Sequence, residues 1–418
     1  MKLDLRYKLQ QAINAGSLVI FAPMMVLYCL HKGMDLYQVG LFFGAYFLAI
    51  TCFELPSGAW ADKFGRLKVF YYAKLFDCIN FALLIYFDAI ELIILASFIG
   101  GIGRALGSGT LEAWYVERLQ EQQRETEIGR QLSSVHAWSL VAMAIGALIG
   151  TGLVHFFSEQ HNRDNPYLFT LIAVFILHAC ILLSMPYFFQ EGEGEGHSQE
   201  AMSSGIALIG KTLQVCWSVP VLQLVLLMQL LFGVLLTSTQ TYWQPMLQSL
   251  LQADADILIF GLVSALFYLC AAVAAKLGKN RLSKSDKPLT QVIFSLLTAS
   301  SLVLICMAFS QSVSVFIGLY WVFGLIIFAV KPLLATILHQ QISDRYRATS
   351  LSLLSLVFNL GGMLVGLLFS LIADLFGIDV FWWLMAGVGL LTSLLIHCRY
   401  AVVTPTRLKQ HRLIDPNL

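Results

Sequence analysis

Twelve long apolar runs, spaced along one chain with mostly short connections, limit what this sequence can fold into more than any other feature. They cover approximately residues 11–30, 38–57, 69–87, 91–115, 131–156, 166–189, 219–243, 257–277, 289–309, 313–339, 350–375 and 380–399. Most have the roughly 20 residues that a helix needs to cross a hydrocarbon core of about 30 Å. In lipid every backbone N–H and C=O must be satisfied within the protein, so such runs are helices. Composition agrees: 58% of the 418 residues are hydrophobic and 12% are charged, against about 25% charged in soluble domains. The expectation is an all-α polytopic membrane protein with twelve transmembrane helices.

The charges are segregated by loop, so the net charge of +1 says nothing about nucleic acid. With the amino terminus placed in the cytoplasm, 21 basic residues fall on the cytoplasmic side and two, Lys32 and Arg163, on the external side. The positive-inside rule then puts both termini in the cytoplasm. The opening residues Met1–Lys8 lead directly into the first run with no small-residue cleavage site, which reads as no removable leader. The longest connection, after the sixth run, opens with Glu191-Gly192-Glu193-Gly194-Glu195-Gly196, too polar and flexible to pack. It divides the chain into a six-helix bundle over 1–189, a linker over 190–218, a second bundle over 219–400 and a tail over 401–418. Within the linker, 206–216 reads as a short interfacial helix. The eight cysteines (29, 52, 78, 180, 216, 270, 306 and 398) are scattered without a C-x-x-C pair. They imply neither a zinc site nor a disulfide framework.

Between the second and third runs lies Gly58-Ala59-Trp60-Ala61-Asp62-Lys63-Phe64-Gly65-Arg66-Leu67-Lys68, read as a short charged turn that sets two antiparallel helices side by side. Its pattern, G-x-x-x-D-x-x-G-R-x-K, resembles the signature loop between helices 2 and 3 of the major facilitator superfamily of secondary transporters. That resemblance implies two six-helix bundles rocking about a midplane site. It also implies a conformational latch built from Gly58, Asp62, Gly65 and Arg66, in which Asp62 faces the start of helix 11, near Thr349-Ser350. The halves echo each other: Ala274-Ala275-Lys276-Leu277-Gly278-Lys279 aligns with 61–66, but Ala275 replaces the acid, so a mirror-image latch is missing or weaker. Arg104 and Glu112 are eight apart in the fourth run, as are Lys331 and His339 in the tenth.

Ionisable residues inside a membrane are costly and mark pathways or partners. Arg104 is about thirteen residues into the fourth run, and Arg104-Ala105-Leu106-Gly107-Ser108-Gly109 resembles the helix 4 motif of proton-coupled members of the superfamily. The surrounding Gly101, Gly103, Gly107 and Gly109 are expected to allow close helix approach. Lys331, followed by Pro332, either faces a cavity shared with Arg104 or snorkels to the surface. Two bases on one cavity favour an anionic solute. Glu112 and Glu54 are the carboxylates placed to couple a proton, because burial and a neighbouring cation move such a group in opposite directions. Asp77, with Lys74 one turn away, reads as a local ion pair. Helix 5 has the glycines Gly146, Gly150 and Gly152 but not the proline of the drug–proton antiporters it otherwise resembles. Tyr242 and Trp243, at the end of the seventh run, read as an interfacial aromatic belt.

Gly205-Ile206-Ala207-Leu208-Ile209-Gly210-Lys211-Thr212 matches the phosphate-binding pattern G-x-x-x-x-G-K-[ST]. That pattern needs a strand before it and an α/β domain around it; here an acidic linker precedes it and a spanning run follows. No ATP, nucleic acid, metal or cofactor is expected, and the chain does not read as an enzyme. The leading expectation is a monomeric, proton-coupled transporter of a bacterial inner membrane, exporting an amphipathic or anionic compound such as a drug or siderophore. Proton-coupled import of a nutrient or metal-chelate is the alternative. A non-transporting receptor that kept the fold stands as a different class.

Overall fold

The structure, a computed structural model, describes residues 3–160, 165–189, 220–251, 256–280, 288–341 and 347–402. Among them twelve helices are long and apolar enough to span a membrane. We number these α1 (Leu3–His31), α2 (Leu36–Phe64), α3 (Arg66–Tyr86), α4 (Ile90–Glu121), α5 (Glu125–Phe157), α6 (Leu168–Phe188), α7 (Pro220–Leu250), α8 (Leu258–Gly278), α9 (Leu289–Ala308), α10 (Val313–Leu338), α11 (Ser352–Phe376) and α12 (Ile378–Ile396). The linker, its candidate interfacial helix, the Gly205–Thr212 pattern and the final tail lie outside the described residues.

Within each half the same pairs pack. In the first, α1 lies on α5, α2 on α4, and α3 on α4 and α6; in the second, α7 lies on α11, α8 on α10, and α9 on α10 and α12. The two bundles then meet through two more equivalent pairs, α5 with α8 and α11 with α2. Backbone-to-backbone packing makes the α1–α5 pair possible. Gly146 sits against the carbonyl of Gly16, and Gly150 against that of Ile20, so a methyl at either would collide with α1. Gly146 and Gly150 thus serve the α1–α5 seam without a proline, whereas Gly152 has open space around it.

Three spans are interrupted. α1 passes through a 3-10 turn over Ala22–Met24 that contains Pro23, whose missing N–H breaks the ladder. α4 breaks between Gly107 and Thr110, where Gly109 adopts φ 70°. α11 carries a π-helical turn over Val365–Phe369. Breaks of this kind in membrane helices persist where protein or a water-filled cavity surrounds them.

Two sequence expectations change here. The charged stretch after Gly58 is not a loop: α2 continues through Asp62 to Phe64, and Gly65 alone (φ 101°, ψ 141°) turns the chain into α3. Alanine, lysine and tryptophan around Asp62 sustain a helix, and nothing lies within 4 Å of where a Gly58 side chain would start. Nor do all four glycines of α4 serve close approach. Gly101 packs on the carbonyl of Tyr46 in α2 and Gly103 on that of Ala73 in α3; Gly107 makes an ordinary contact, and Gly109 supplies the left-handed turn instead.

Candidate functional site

Odd-numbered helices run from the face that bears the amino terminus, here called the near face, to the far face; even-numbered helices return. Along the far half the bundles are in contact. Gly40 and Gly44 of α2 abut Gly366 and Ser370 of α11, and Gly261 of α8 abuts Ala147 and Thr151 of α5. The Tyr242 hydroxyl donates to the Leu36 carbonyl at 3.2 Å, and Gln244 Nε2 to the Ala22 carbonyl at 3.1 Å. His155 Nδ1 lies 3.0 Å from Asp256 Oδ1. Tyr242 and Trp243 are therefore not an interfacial belt. Both are buried, Tyr242 on the seam between bundles and Trp243 stacked on Tyr320 with centroids 4.9 Å apart. The polar end of α7 found protein partners rather than headgroups.

Toward the near face the picture reverses. Arg104 and Glu112 of α4, His136 of α5 and Lys331 of α10 are all exposed, although each lies inside a spanning helix. At 1.5 Å per residue, Arg104 sits about 21 Å from the far end of α4, and Glu54 and Lys331 about 27 Å from the far ends of theirs. These charges act on one another: Lys331 feels Arg104 and Glu112, His136 feels Lys331, and Glu54 feels Arg104. Side chains from both bundles are thus exposed and mutually in reach. They line a cleft between the halves, which the packed far half closes on its far side. Lys331 takes the cavity position, the first of the two left open by sequence.

Glu54 differs from the rest. It is half-buried and accepts a hydrogen bond from Asn359 Nδ2 of α11 at 2.9 Å, with the Ser355 side chain of the same helix also in reach. The carboxylate of one bundle is held by a neutral amide of the other. Sequence reasoning found the acid and missed its partner, since a single Asn in an apolar helix gives little sign of what it will meet. His136 and Tyr46, the latter within electrostatic reach of Arg104, were missed for the same reason.

The expected latch residues come together on the near face. Arg66 pairs with Glu117 of α4 at 2.6 Å and more loosely with Asp62, its i−4 neighbour, at 3.6 Å. The Asp62 side chain is 55% exposed. The side chains of Thr349 and Ser350, which it was expected to face, lie outside those described. Among the described residues no cluster of His, Cys, Asp and Glu is arranged to hold a metal ion.

Two bundles with repeated packing, joined along the far half beside a charged cleft, define the class of membrane transporters that work by alternating access. The sequence profile of the Major Facilitator Superfamily matches residues 9–337 and 230–415. The chain belongs to that family, and is a secondary transporter of its type. YxaM of Bacillus subtilis strain 168, described as an uncharacterized MFS-type transporter, is 23% identical over 392 residues, spanning 92% of this chain and 93% of its own. Among solved structures, the fold is similar to a mutant form of the nucleoside transporter NupG, with TM-score 0.79, 12% identity and coverage of 95% of this chain and 99% of the other. It is also similar to a bacterial homolog of the human lysosomal transporter Spinster, with TM-score 0.76, 13% identity and coverage of 99% and 98%. A D-xylose–proton symporter follows at TM-score 0.69 and 14% identity, over 94% and 96%.

Proposed function

We propose that this protein moves an anionic organic solute together with protons across a bacterial inner membrane, with its near face in the cytoplasm. The observation that carries the reading is the placement of Arg104 and Lys331 in one cleft with Glu112 beside Lys331. Among the described residues Arg104 has no ion-pair partner, so its guanidinium is available to a carboxylate or phosphate, which it binds in a planar fork. Glu112 gives the coupling its sign. Ionised, it engages Lys331 and opposes an anion; protonated, it leaves Lys331 to the solute. Proton and anion then bind together, which is the logic of a symporter. Glu54, bound by Asn359 and in reach of Ser355 and Arg104, links occupancy of the cleft to the α2–α11 seam. Arg66, itself paired with Glu117, holds Asp62 while the near face is open. On closure Asp62 is freed to meet the start of helix 11, where unpaired N–H groups carry partial positive charge. Residues 1–189 and 219–400 act as the two rocking bodies, and the chain works as a monomer.

Efflux of a drug- or siderophore-like compound is the second reading. It is favoured for an amphipathic cation, which would compete with the proton for Glu112. One experiment separates the two. Purified protein in proteoliposomes is given an imposed pH gradient and a panel of organic anions, drugs, dyes and iron chelates, with Arg104→Ala and Glu112→Gln alongside. Solute flux that carries protons in the same direction, and is lost in both variants, is the expected result. Counterflow of protons assigns efflux, and flux without protons removes Glu112 from the coupling role.

A further inference from the structure

A second group of charges lies inside the first bundle, apart from the cleft. Lys74 Nζ is 2.5 Å from Asp77 Oδ2 and donates to Asn14 Oδ1 at 2.6 Å. His178 Nδ1 stands 3.5 Å from the same Asp77 oxygen, its ring stacked on Phe81 with centroids 5.3 Å apart. Lys74, Asp77 and His178 are 3%, 6% and 0% exposed. They come from α3 and α6 at matching depth, with Asn14 reaching in from α1: Lys74 and Asp77 lie about 12 and 16 Å in from the near end of α3, and His178 about 15 Å in from the far end of α6. That is the middle of the membrane.

Stability alone does not account for such a group, because well-packed apolar residues usually serve as well as a buried ion pair. Nor is it complete. Both ring nitrogens of His178 lack a hydrogen-bond partner among the described residues. At 3.5 Å from Asp77, Nδ1 is beyond a good hydrogen bond but well placed to form one. A second ring proton makes both nitrogens donors and so fixes an N–H at Nδ1, aimed at a carboxylate. The charges that act on His178 are those of Asp77 and Lys74, both from α3; α1 brings the neutral Asn14. The group also touches the wall of the cleft. Asp77 Oδ1 packs against Gly103, with 2.7 Å to where a Cβ would stand, and Gly103 directly precedes Arg104. Tyr46 of α2 feels both Arg104 and Asp77.

We propose that His178, Asp77 and Lys74 form a proton-binding site within the first bundle, which exchanges with water in the cleft through the Tyr46 hydroxyl. The proton comes from cleft water, is passed on as Tyr46 gives up one proton and takes another, and resides on His178 Nδ1 against Asp77. The site goes from neutral overall to a single positive charge behind the wall that carries Arg104. An occupied site therefore raises the positive potential of the cleft and an empty one lowers it. Proton binding here stands by itself; its part in coupling rests on the symport reading above.

The test uses the full chain, labelled with ¹⁵N-histidine, in lipid bilayers. Solid-state NMR distinguishes neutral from charged imidazole, and the titration is followed across about pH 3 to 8, which takes in the range of about pH 5 to 8 where an unperturbed histidine titrates. The expected result is a histidine signal that changes form in this range, is missing in His178→Gln, and has its midpoint displaced at least threefold in proton concentration in Asp77→Asn. A His178 signal that keeps one form throughout in the unaltered protein overturns the proposal without reliance on any variant. Tyr46→Phe should slow proton uptake after a pH jump at least tenfold with the same endpoint; unchanged uptake removes the route through Tyr46. If His178 titrates while proteoliposomes show no solute-dependent proton flux, the symport reading fails and the site stands. Flux with a silent His178 is the reverse case.

Discussion

Asn359 donates its side-chain amide to the Glu54 carboxylate at 2.9 Å, and the two residues belong to opposite bundles. With Ser355 in reach of the same carboxylate, this is a polar clasp on the α2–α11 seam, nearer the near face than the glycine contacts. It holds the far-closed form together at the depth of Arg104 and Lys331. Whatever changes the charge of Glu54 changes how firmly the halves are joined.

Removing the donor should therefore bias the conformational equilibrium. A hydrogen bond to a charged group contributes about 1.5–3 kcal/mol, so Asn359→Leu should shift the ratio of far-closed to far-open forms by roughly tenfold or more toward far-open. Distances between spin labels on the far ends of α2 and α11 would check this. An unchanged distance distribution would mean that the glycine contacts alone set the balance.

Glycine contacts on the far seam give a second, independent test of the same equilibrium. A Cβ at Gly44 would lie 2.6 Å from a Leu367 methyl and 2.9 Å from the Gly366 carbonyl carbon. Gly44→Ala should leave each bundle folded but prevent α2 and α11 from closing, so far-face cysteines become accessible to polar thiol reagents. The cost expected for overpacking, about 1–3 kcal/mol, is enough to invert a near-even population.

Lys331→Gln should weaken binding of an anionic solute at least tenfold, about 1.4 kcal/mol, and make that binding less sensitive to Glu112→Gln. The double variant checks it: if Glu112 acts through Lys331, the two changes are not additive. Additive losses, read by equilibrium binding of the solute identified in the flux panel, would place the two residues in separate roles.

Gly65 is the single residue between α2 and α3, at φ 101° and ψ 141°, where a side chain is strained. Gly65→Ala should lower the thermal unfolding midpoint through a loss of about 1–3 kcal/mol, and should also disturb the Arg66–Glu117 pair that follows directly on the turn. Gly58→Ala, with open space around it, should be neutral or slightly stabilising. Thermal melts in detergent distinguish the two glycines of one motif.

Much of the fold was legible because lipid leaves the backbone few choices. Twelve apolar runs of sufficient length predict twelve helices, and the described residues hold twelve, half of them longer than the runs themselves. Arg104 and Lys331 were legible because a charge in an apolar run announces itself. Neutral polar partners did not: Asn359 gave no sign that it would hold Glu54, and His178 in an apolar α6 gave none that it would meet Asp77. The break in α4 was also hidden. Glycine is common in membrane helices for packing reasons, so nothing in the sequence separates Gly109, which turns the chain, from Gly101, which admits a neighbour. Tyr242 and Trp243 were misplaced because aromatic residues near the end of an apolar run fit a membrane interface and a helix–helix seam equally well.

The far-face seam is made largely of backbone and very small side chains: Gly40, Gly44, Gly366 and Ser370 on one flank, Gly261, Ala147 and Thr151 on the other. Surfaces of this kind part and rejoin with few side chains needing to find a new rotamer or leave an interlocked hole. The slow step of opening is then set by the few directional bonds that cross the boundary. Exchange between the two orientations should be governed by a handful of discrete breakages, each separately addressable, rather than by gradual repacking of a core.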